Sequence, residues 1–270
     1  EKKWGPGDTV LLASFYSSNE LANAILFSAF ASLGIRVFIP IYPEVEAFDN
    51  WHTLTNFKAV ILPGNEILQQ KGHEREKEVI HSFASLCLQK QIPFLDAYED
   101  FCILALLKQI KEKSPDPLPV TIFSNNISTE TEAVIFTTSG TSGKSKLVVY
   151  NQGAFSVSCQ AWQAAGLFDP GVCGNAGFTP LFTHTIGIRN FINALWTGNP
   201  VCIMVVDWFL NKPEEARYLL QRMKPGHIIG GPALFNMLLE FFRQFPELKI
   251  SLQKHLKTLI SIGAAYNLSA

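Results

Sequence analysis

The most constraining feature of this 270-residue sequence is a repeated alternation of short apolar runs with longer amphipathic segments. The first case is the apolar run Thr9–Ser14, the helical pattern Leu21–Leu33 and the apolar run Ile35–Pro40. Gly34 stands between helix and strand, where a left-handed cap is expected. Strands that alternate with helices pair in parallel and are covered by those helices. The sequence therefore predicts an α/β fold of two packed, mostly parallel sheets flanked by helices.

A segment rich in Pro, Ser, Asn and Thr, residues 114–132, separates two runs of this alternation. It predicts two α/β halves, residues 1–118 and residues 119–270, within one large domain. The further elements expected in the first half are Lys58–Leu62, His73–Gln89, Ile92–Leu95 and Phe101–Lys113. Those expected in the second half are Glu132–Thr138, Leu147–Tyr150, Gln152–Gly166, Ala176–Pro180, Ile188–Thr197, Pro200–Val206, Pro213–Met223, His227–Gly231, Pro232–Arg243 and Thr258–Ile262.

Charge and cysteine usage limit the function classes. Lys and Arg total 22 and Asp and Glu total 23, so the net charge of -1 gives no general attraction to nucleic acid or anionic membrane. No apolar run approaches the ~20 residues that a membrane-spanning helix needs. The five cysteines have no metal-ligand or CxxC spacing, which predicts reduced core thiols and a cytoplasmic protein. The start at Glu1-Lys2-Lys3 predicts a piece of a longer protein.

A loop rich in glycine and hydroxyl residues, Thr138–Lys146, carries the strongest functional signal. Backbone amides around Gly140 and Gly143, several hydroxyl groups and two lysines are the donors and cations that a polyphosphate needs. A flexible Ser/Gly connector is the plain alternative. A Walker A phosphate loop is the second alternative, but that motif needs glycine where Thr138 stands and a helix where the strand-like Leu147–Tyr150 follows.

The arrangement of strand, loop and strand resembles the AMP-forming adenylate-forming enzymes, which include acyl-CoA synthetases, luciferases and adenylation domains of peptide synthetases. Ser145 stands where that family usually has proline. The resemblance implies that the chain is the N-terminal part of the family's large domain. It implies that Thr141 lies near Mg²⁺ and that the ATP phosphates are bound by Thr138, Ser139, Gly140, Thr141, Ser142, Gly143 and Lys146.

Three later segments resemble the same family in the same order. The segment Thr179–Gly187 implies that His184 lies beside the substrate carboxylate, although an isolated histidine at a helix start is more often hydrogen-bonded to a carbonyl. Ile228–Leu239 resembles a wall of the acyl pocket. Gly263, Ala264 and Ala265 resemble the strand end that passes along the nucleotide, with Ala265 in place of proline.

The resemblance implies ATP-dependent activation of a carboxylic acid as an acyl-adenylate, with Lys146 and His184 as catalytic residues and Mg²⁺ as the metal. The acyl group would pass to a thiol, either CoA or the phosphopantetheine of a carrier protein. Family segments that follow the position of Ala270 include a C-terminal domain with a catalytic lysine, so this fragment alone is expected to be inactive. The alternative hypothesis is a non-catalytic, degenerate adenylation module with a structural or docking role. An apolar acyl pocket could be built by Phe178, Phe182, Phe191, Trp196 and Phe235, although aromatics at such spacing are more often ordinary core residues. The resemblance favours a hydrophobic or aryl acid over an amino acid, because the segment Asn199–Leu210 places no carboxylate where the family's amino-acid-activating members keep an aspartate near Phe235.

Overall fold

The computed structural model describes residues 4–13, 20–40, 42–62, 68–69, 74–112, 127–138, 146–166, 177–179, 184–203 and 207–262. The chain divides into two compact units, Glu1–Ala154 and Phe155–Ala270. Each unit contains one sheet, and both sheets are mostly parallel. None of the described helices is long and apolar enough to cross a membrane.

The first unit contains a six-stranded sheet with the strand order β4-β3-β1-β2-β5-β6. All neighbouring pairs are parallel except the antiparallel pair of β5 and β6. The strands are β1 (Thr9–Leu12), β2 (Arg36–Ile39), β3 (Ala59–Leu62), β4 (Phe94–Asp96), β5 (Glu132–Thr138) and β6 (Lys146–Asn151). The helices are α1 (Glu20–Ser32), the 3-10 turn Val45–Ala47, α2 (Phe48–Thr55), α3 (Glu74–Gln89) and α4 (Ile103–Glu112).

The central strands of this sheet are buried on both faces, as parallel sheets require. All four residues of β1 and all four of β3 are buried. On one face, Leu11 and Phe38 pack in a cluster with residues of α2 and α3. Aromatic side chains fix this layer, since Phe38 meets Trp51 edge to face at a centroid distance of 5.3 Å. The sheet is therefore a rigid base for the strand ends that carry the predicted loop.

The second unit contains a four-stranded, wholly parallel sheet with the order β10-β9-β7-β8. Its strands are β7 (Gly177–Thr179), β8 (Val201–Ile203), β9 (His227–Gly230) and β10 (Thr258–Ser261). Its helices are α6 (Thr185–Thr197), α7 (Asp207–Asn211), α8 (Pro213–Met223), α9 (Pro232–Gln244) and α10 (Pro246–Gln253). They are preceded by α5 (Gln152–Ala164), which begins at the end of the first unit.

The helices of the second unit lie on opposite faces of its sheet. The chain runs from β7 to β8 in one direction and then returns past β7 to β9 and β10 in the other. Because parallel crossovers are right-handed, α6 covers one face and α7 to α10 cover the other. The second face has its own core, in which Ile228 of β9 packs with Leu220 of α8 and Leu238 of α9.

Two sequence-based expectations need correction or comment. The compact units meet between Ala154 and Phe155, because β5 and β6 pair with the first sheet, and the division into halves at residues 118 and 119 within one large domain stays a prediction. The expectation of core thiols holds for Cys87, Cys159 and Cys202, which are buried and free, but is wrong for Cys102, which is exposed. Cys173 lies outside the described residues.

Candidate functional site

The predicted phosphate loop is bracketed by two paired strands. Strands β5 and β6 are antiparallel, and their last register pairs are Thr137 with Leu147 and Thr138 with Lys146. The hydroxyl of Thr138 donates to the carbonyl oxygen of Lys146 at 3.4 Å. The chain therefore leaves the sheet at Thr138 and re-enters it at the adjacent position. A strand, and not a helix, follows the glycine-rich segment.

Of the two lysines in this segment, Lys146 is the one that the structure describes, and its side chain is exposed. No carboxylate pairs with it among the residues that the structure describes, so its charge is available to an incoming anion. Thr138 is half-buried at the end of β5, beside it in register. These two strand ends place a hydroxyl and a free cation at the mouth of the loop.

Both ends of the hairpin are anchored to the fold. The ring of Phe136, which is fully buried, meets the ring of Tyr150 edge to face at 5.7 Å across the strand pair. At the other end, Arg36 of β2 forms an ion pair with Glu132 at the start of β5. The strand ends are thus held by side-chain contacts on the sheet as well as by ladder hydrogen bonds.

Several predicted ligands lie outside the described residues. These are Ser139, Gly140, Thr141, Ser142 and Gly143 of the loop and Gly263, Ala264 and Ala265 after β10. Their assignment to phosphates, Mg²⁺ and nucleotide stays a prediction. Within the part of the chain that the structure covers, no group of three or more His, Cys, Asp or Glu side chains could hold a metal ion.

A second candidate position lies in the second unit, where β7 and β9 are neighbours. The helix after β7 and the helix after β9 lie on opposite faces of the sheet, so a crevice is expected between the carboxyl ends of these strands. Ligands of open parallel sheets bind at such topological switch points. His184 follows β7 by five residues, and Gly230 and Gly231 end β9.

His184 is the N-cap residue of α6. Its Nδ1 accepts a hydrogen bond from the backbone N–H of Ile186 at 3.3 Å. In the neutral imidazole the proton therefore sits on Nε2, which can donate to a carboxylate oxygen. Burial lowers the pKa of His184 below its usual value of 6.5, so the ring is neutral near pH 7. The general expectation is a bond from His184 to a carbonyl, whereas the bond observed at Nδ1 is accepted from a backbone N–H.

Gly230 and Gly231 are site features that the sequence reading used only as evidence for the fold. A Cβ atom on Gly230 would lie 2.3 Å from Cδ2 of Leu234 in α9. Beside them, Ile262 donates its backbone N–H to the carbonyl oxygen of Gly230 at 3.0 Å. Two glycines before the helix-starting Pro232 were the available signal for a close approach of backbone to backbone.

The predicted aromatic pocket does not assemble from the described side chains. Phe191 lies in α6, whereas Phe235 lies in α9 on the opposite face of the sheet and lines a separate apolar pocket of about 380 Å³ beside β10. Trp196 is 50% exposed. Phe182 and the side chain of Phe178 are outside the described set.

Residues 2–270 match a protein family described as AMP-binding enzyme. The chain belongs to the AMP-binding enzyme family. The resemblance of the chain to the adenylate-forming enzymes is thereby confirmed. The Walker-type alternative, which needs a helix after the loop, conflicts with strand β6. No curated protein matched the sequence.

Solved structures of other AMP-binding proteins share the fold at low sequence identity. An adenylation domain of a keto acid-selecting NRPS module bound to keto acyl adenylate has a TM-score of 0.69 and 15% identity, over 98% of this chain and 45% of that one. The inhibitor-bound N-terminal domain of FACL13 from Mycobacterium tuberculosis has a TM-score of 0.64 and 17% identity, over 98% and 59%. O-succinylbenzoate Coenzyme A synthetase (MenE) from Bacillus subtilis with AMP has a TM-score of 0.62 and 14% identity, over 98% and 57%. The chain thus spans less than two thirds of these structures.

Proposed function

We propose that a protein containing this chain activates a carboxylic acid with ATP. The carboxylate oxygen attacks the α-phosphorus of ATP. The bond between the α-phosphorus and the oxygen that bridges to the β-phosphorus breaks, and the products are an acyl-adenylate and pyrophosphate. A thiol, either of CoA or of a carrier protein's phosphopantetheine, then displaces AMP from the acyl carbon. Such phosphorus chemistry depends mainly on positioning and on neutralising charge.

The observation that carries this proposal is the pairing of Thr138 with Lys146 at the two ends of the glycine-hydroxyl segment. It places Lys146, which is exposed and has no carboxylate partner among the described residues, at the end of a segment rich in backbone amides and hydroxyl groups, and these are the groups that ATP phosphates require. Mg²⁺ would enter with ATP, since it keeps most of its water and phosphate ligands. Thr141 is the residue we assign to it.

His184 is assigned to the acid substrate. Its Nε2–H would donate to the carboxylate and hold one oxygen ready for attack, while Nδ1 stays bonded to the backbone of α6. The neutral ring suits this role, because a cation would pair with the nucleophilic carboxylate and lower its reactivity. Gly263, Ala264 and Ala265 are assigned to the nucleotide on the resemblance alone.

The test is ATP–pyrophosphate exchange with a panel of aliphatic, aromatic, keto and amino acids, using both this chain and a longer protein that contains it. We expect acid-dependent exchange in the longer protein and little in the isolated chain. Lys146→Met should lower exchange by about a hundredfold, the usual loss for one charge-stabilising donor. Lys108→Met, which removes an exposed lysine of α4, is the matched control and should leave exchange unchanged.

Two results would contradict the proposal. Calorimetry of the longer protein with Mg²⁺ and ATP that shows no heat would favour a non-catalytic module. Release of ADP in place of AMP would indicate transfer of the γ-phosphoryl group.

A further inference from the structure

Helix α6 carries an unusual line of buried polar side chains. Asn190 is fully buried and Asn193 is 2% exposed. These two asparagines are three residues apart, so they share one side of the helix, which we call the asparagine line. Asn190 and Asn193 follow His184 by six and nine residues, on a helix that packs against β7, β8 and β9.

Neighbouring contacts identify which side of α6 this line occupies. Arg189 donates to the hydroxyl of Ser158 at 2.7 Å and stacks over the ring of Trp162, both in α5. Trp196, seven residues further on, donates to Gln163 of α5 at 3.4 Å. The asparagine line therefore lies next to the side of α6 that faces α5, on the buried part of the helix surface.

Asn193 has a buried amide nitrogen, Nδ2, that finds no hydrogen-bond partner within the described part of the chain. A buried donor that gives up water without a replacement costs free energy, and native structures contain few of them without a reason. The backbone carbonyl of the same residue is satisfied by the hydroxyl of Thr197 at 2.8 Å. The unmatched group is thus a side-chain donor inside the unit, on the helix whose start carries the proposed carboxylate-binding histidine.

We propose that Asn193 Nδ2 donates to an oxygen atom in the acyl part of the substrate. The acid activated would then carry a distal hydroxyl, keto or other carbonyl group, in contrast to the plain hydrophobic tail expected from the sequence. Asn193 follows His184 by nine residues, which is roughly 13 Å along a helix. This inference rests on the proposed function, because it takes His184 as the position of the carboxylate.

The test compares matched acids in ATP–pyrophosphate exchange by the longer protein. Each pair consists of a medium-chain or arylalkanoic acid and its distal hydroxy or keto counterpart. We expect the oxygenated member to have a kcat/KM at least about tenfold higher, since sites built to hydrogen-bond a group reject analogues that lack it. Asn193→Leu should abolish or invert this preference, whereas Asn211→Leu, the same change at the exposed last residue of α7, should preserve it.

The outcomes separate this inference from the function on which it rests. Exchange that is equal for both members of every pair overturns the role of Asn193 and leaves acid activation standing. An unchanged preference in Asn193→Leu, with a raised melting temperature, overturns it too and marks the amide as a structural defect. If none of the acids tested supports exchange, both proposals are overturned. Should Asn193→Leu fail to fold, the preference of the unaltered protein still decides.

Discussion

His184 joins a structural and a chemical role in one ring. Its Nδ1 caps α6 through the N–H of Ile186, and protonation of that nitrogen would remove the acceptor. The same protonation would place a positive charge at the positive end of a helix. Burial and capping therefore both favour the neutral ring, which is the form that can offer Nε2–H to a carboxylate.

The capping role predicts a pH-dependent stability. Because folding lowers the pKa of His184 below 6.5, the unfolded chain takes up its proton first as the pH falls. We expect the contribution of His184 to the free energy of unfolding to be fully present above about pH 6.5 and to decrease as the pH falls toward the pKa of the folded state. His184→Asn keeps an N-cap acceptor without the titration, so it should flatten this decrease.

Urea unfolding measured between about pH 8 and pH 5 checks this prediction. His52 also has a lowered pKa, from burial first and then from Lys90, and it adds the same slope to both proteins. The difference between the two curves therefore reports His184 alone. Parallel curves over the whole range would contradict the assignment.

Gly230 gives a prediction about packing at the end of β9. Gly230→Ala would force its Cβ against Leu234, at 2.3 Å from Cδ2 and 3.2 Å from Cβ. We expect a loss of roughly 1–3 kcal/mol, as for other overpacked sites. Gly231→Ala is the matched control: its Cβ would meet the carbonyl oxygen of Ile262 at an ordinary 3.7 Å, and its backbone is extended.

Denaturant unfolding of the two variants compares these costs directly. Gly231→Ala should stay within about 0.5 kcal/mol of the unaltered chain. Equal losses in both variants would mean that Leu234 moves aside freely and that Gly230 is not required for the approach of α9.

At the scale of elements, α5 begins directly at the end of β6, without a connecting loop. The side-chain oxygen of Asn151, the last residue of the strand, accepts from the N–H of Ala154 at 2.8 Å. This is the contact that an N-cap residue makes with the third residue of a helix. Asn151 therefore caps the first turn of α5.

Asn151→Ala removes this cap and should cost about 1 kcal/mol, whereas Asn151→Ser keeps an acceptor and should cost less. Hydrogen exchange of the first-turn amides of α5 is the specific readout. Their protection should fall in Asn151→Ala and be retained in Asn151→Ser. Unchanged protection in Asn151→Ala would show that tertiary contacts, such as the bond from Gly153 N–H to the Thr129 carbonyl, hold the turn by themselves.

Most elements were predictable from the sequence because their signals are local. The strand Glu132–Thr138 and the helix Pro213–Met223 have the predicted bounds, and Gly34 has the left-handed conformation expected after α1, with φ of +72°. The short helices α2, α7 and α10 were not predicted. In α2 the buried residues Phe48, Trp51 and Thr55 recur at helical spacing, but over only two turns.

Features that depend on strand order were not predictable from the sequence. Periodicity indicates that a strand exists but does not show which strands pair with it. The return of the chain past β7 and the switch point beside His184 are therefore known only from the strand order of the folded sheet. The sequence likewise left open whether Phe191 and Phe235 share one pocket, whereas in the structure α6 and α9 cover opposite faces of the sheet. The sequence could not show that the amide of Asn193 lacks a partner in the described structure, because the residue type does not reveal whether a side chain is buried.

At the scale of the whole molecule, the cysteines report how completely the chain is folded. Burial raises the pKa of Cys87 to about 12 and that of Cys202 to about 11. Burial also raises the pKa of Cys159, although Arg189 acts in the opposite direction. Cys102 is exposed. Since the thiolate is the reactive form, only Cys102 among these four combines access with reactivity.

Thiol titration with a chromogenic disulfide at about pH 8 tests this pattern, in a Cys173→Ser background that leaves only the four described cysteines. We expect one fast thiol in the native protein, its loss in Cys102→Ser, and four thiols after denaturation. Cys87 lies in the first unit and Cys159 and Cys202 in the second, so their slow reaction measures opening of each unit separately. A buried thiol that reacts as fast as Cys102 would show that its unit opens locally, and the described core would not be the resting state there.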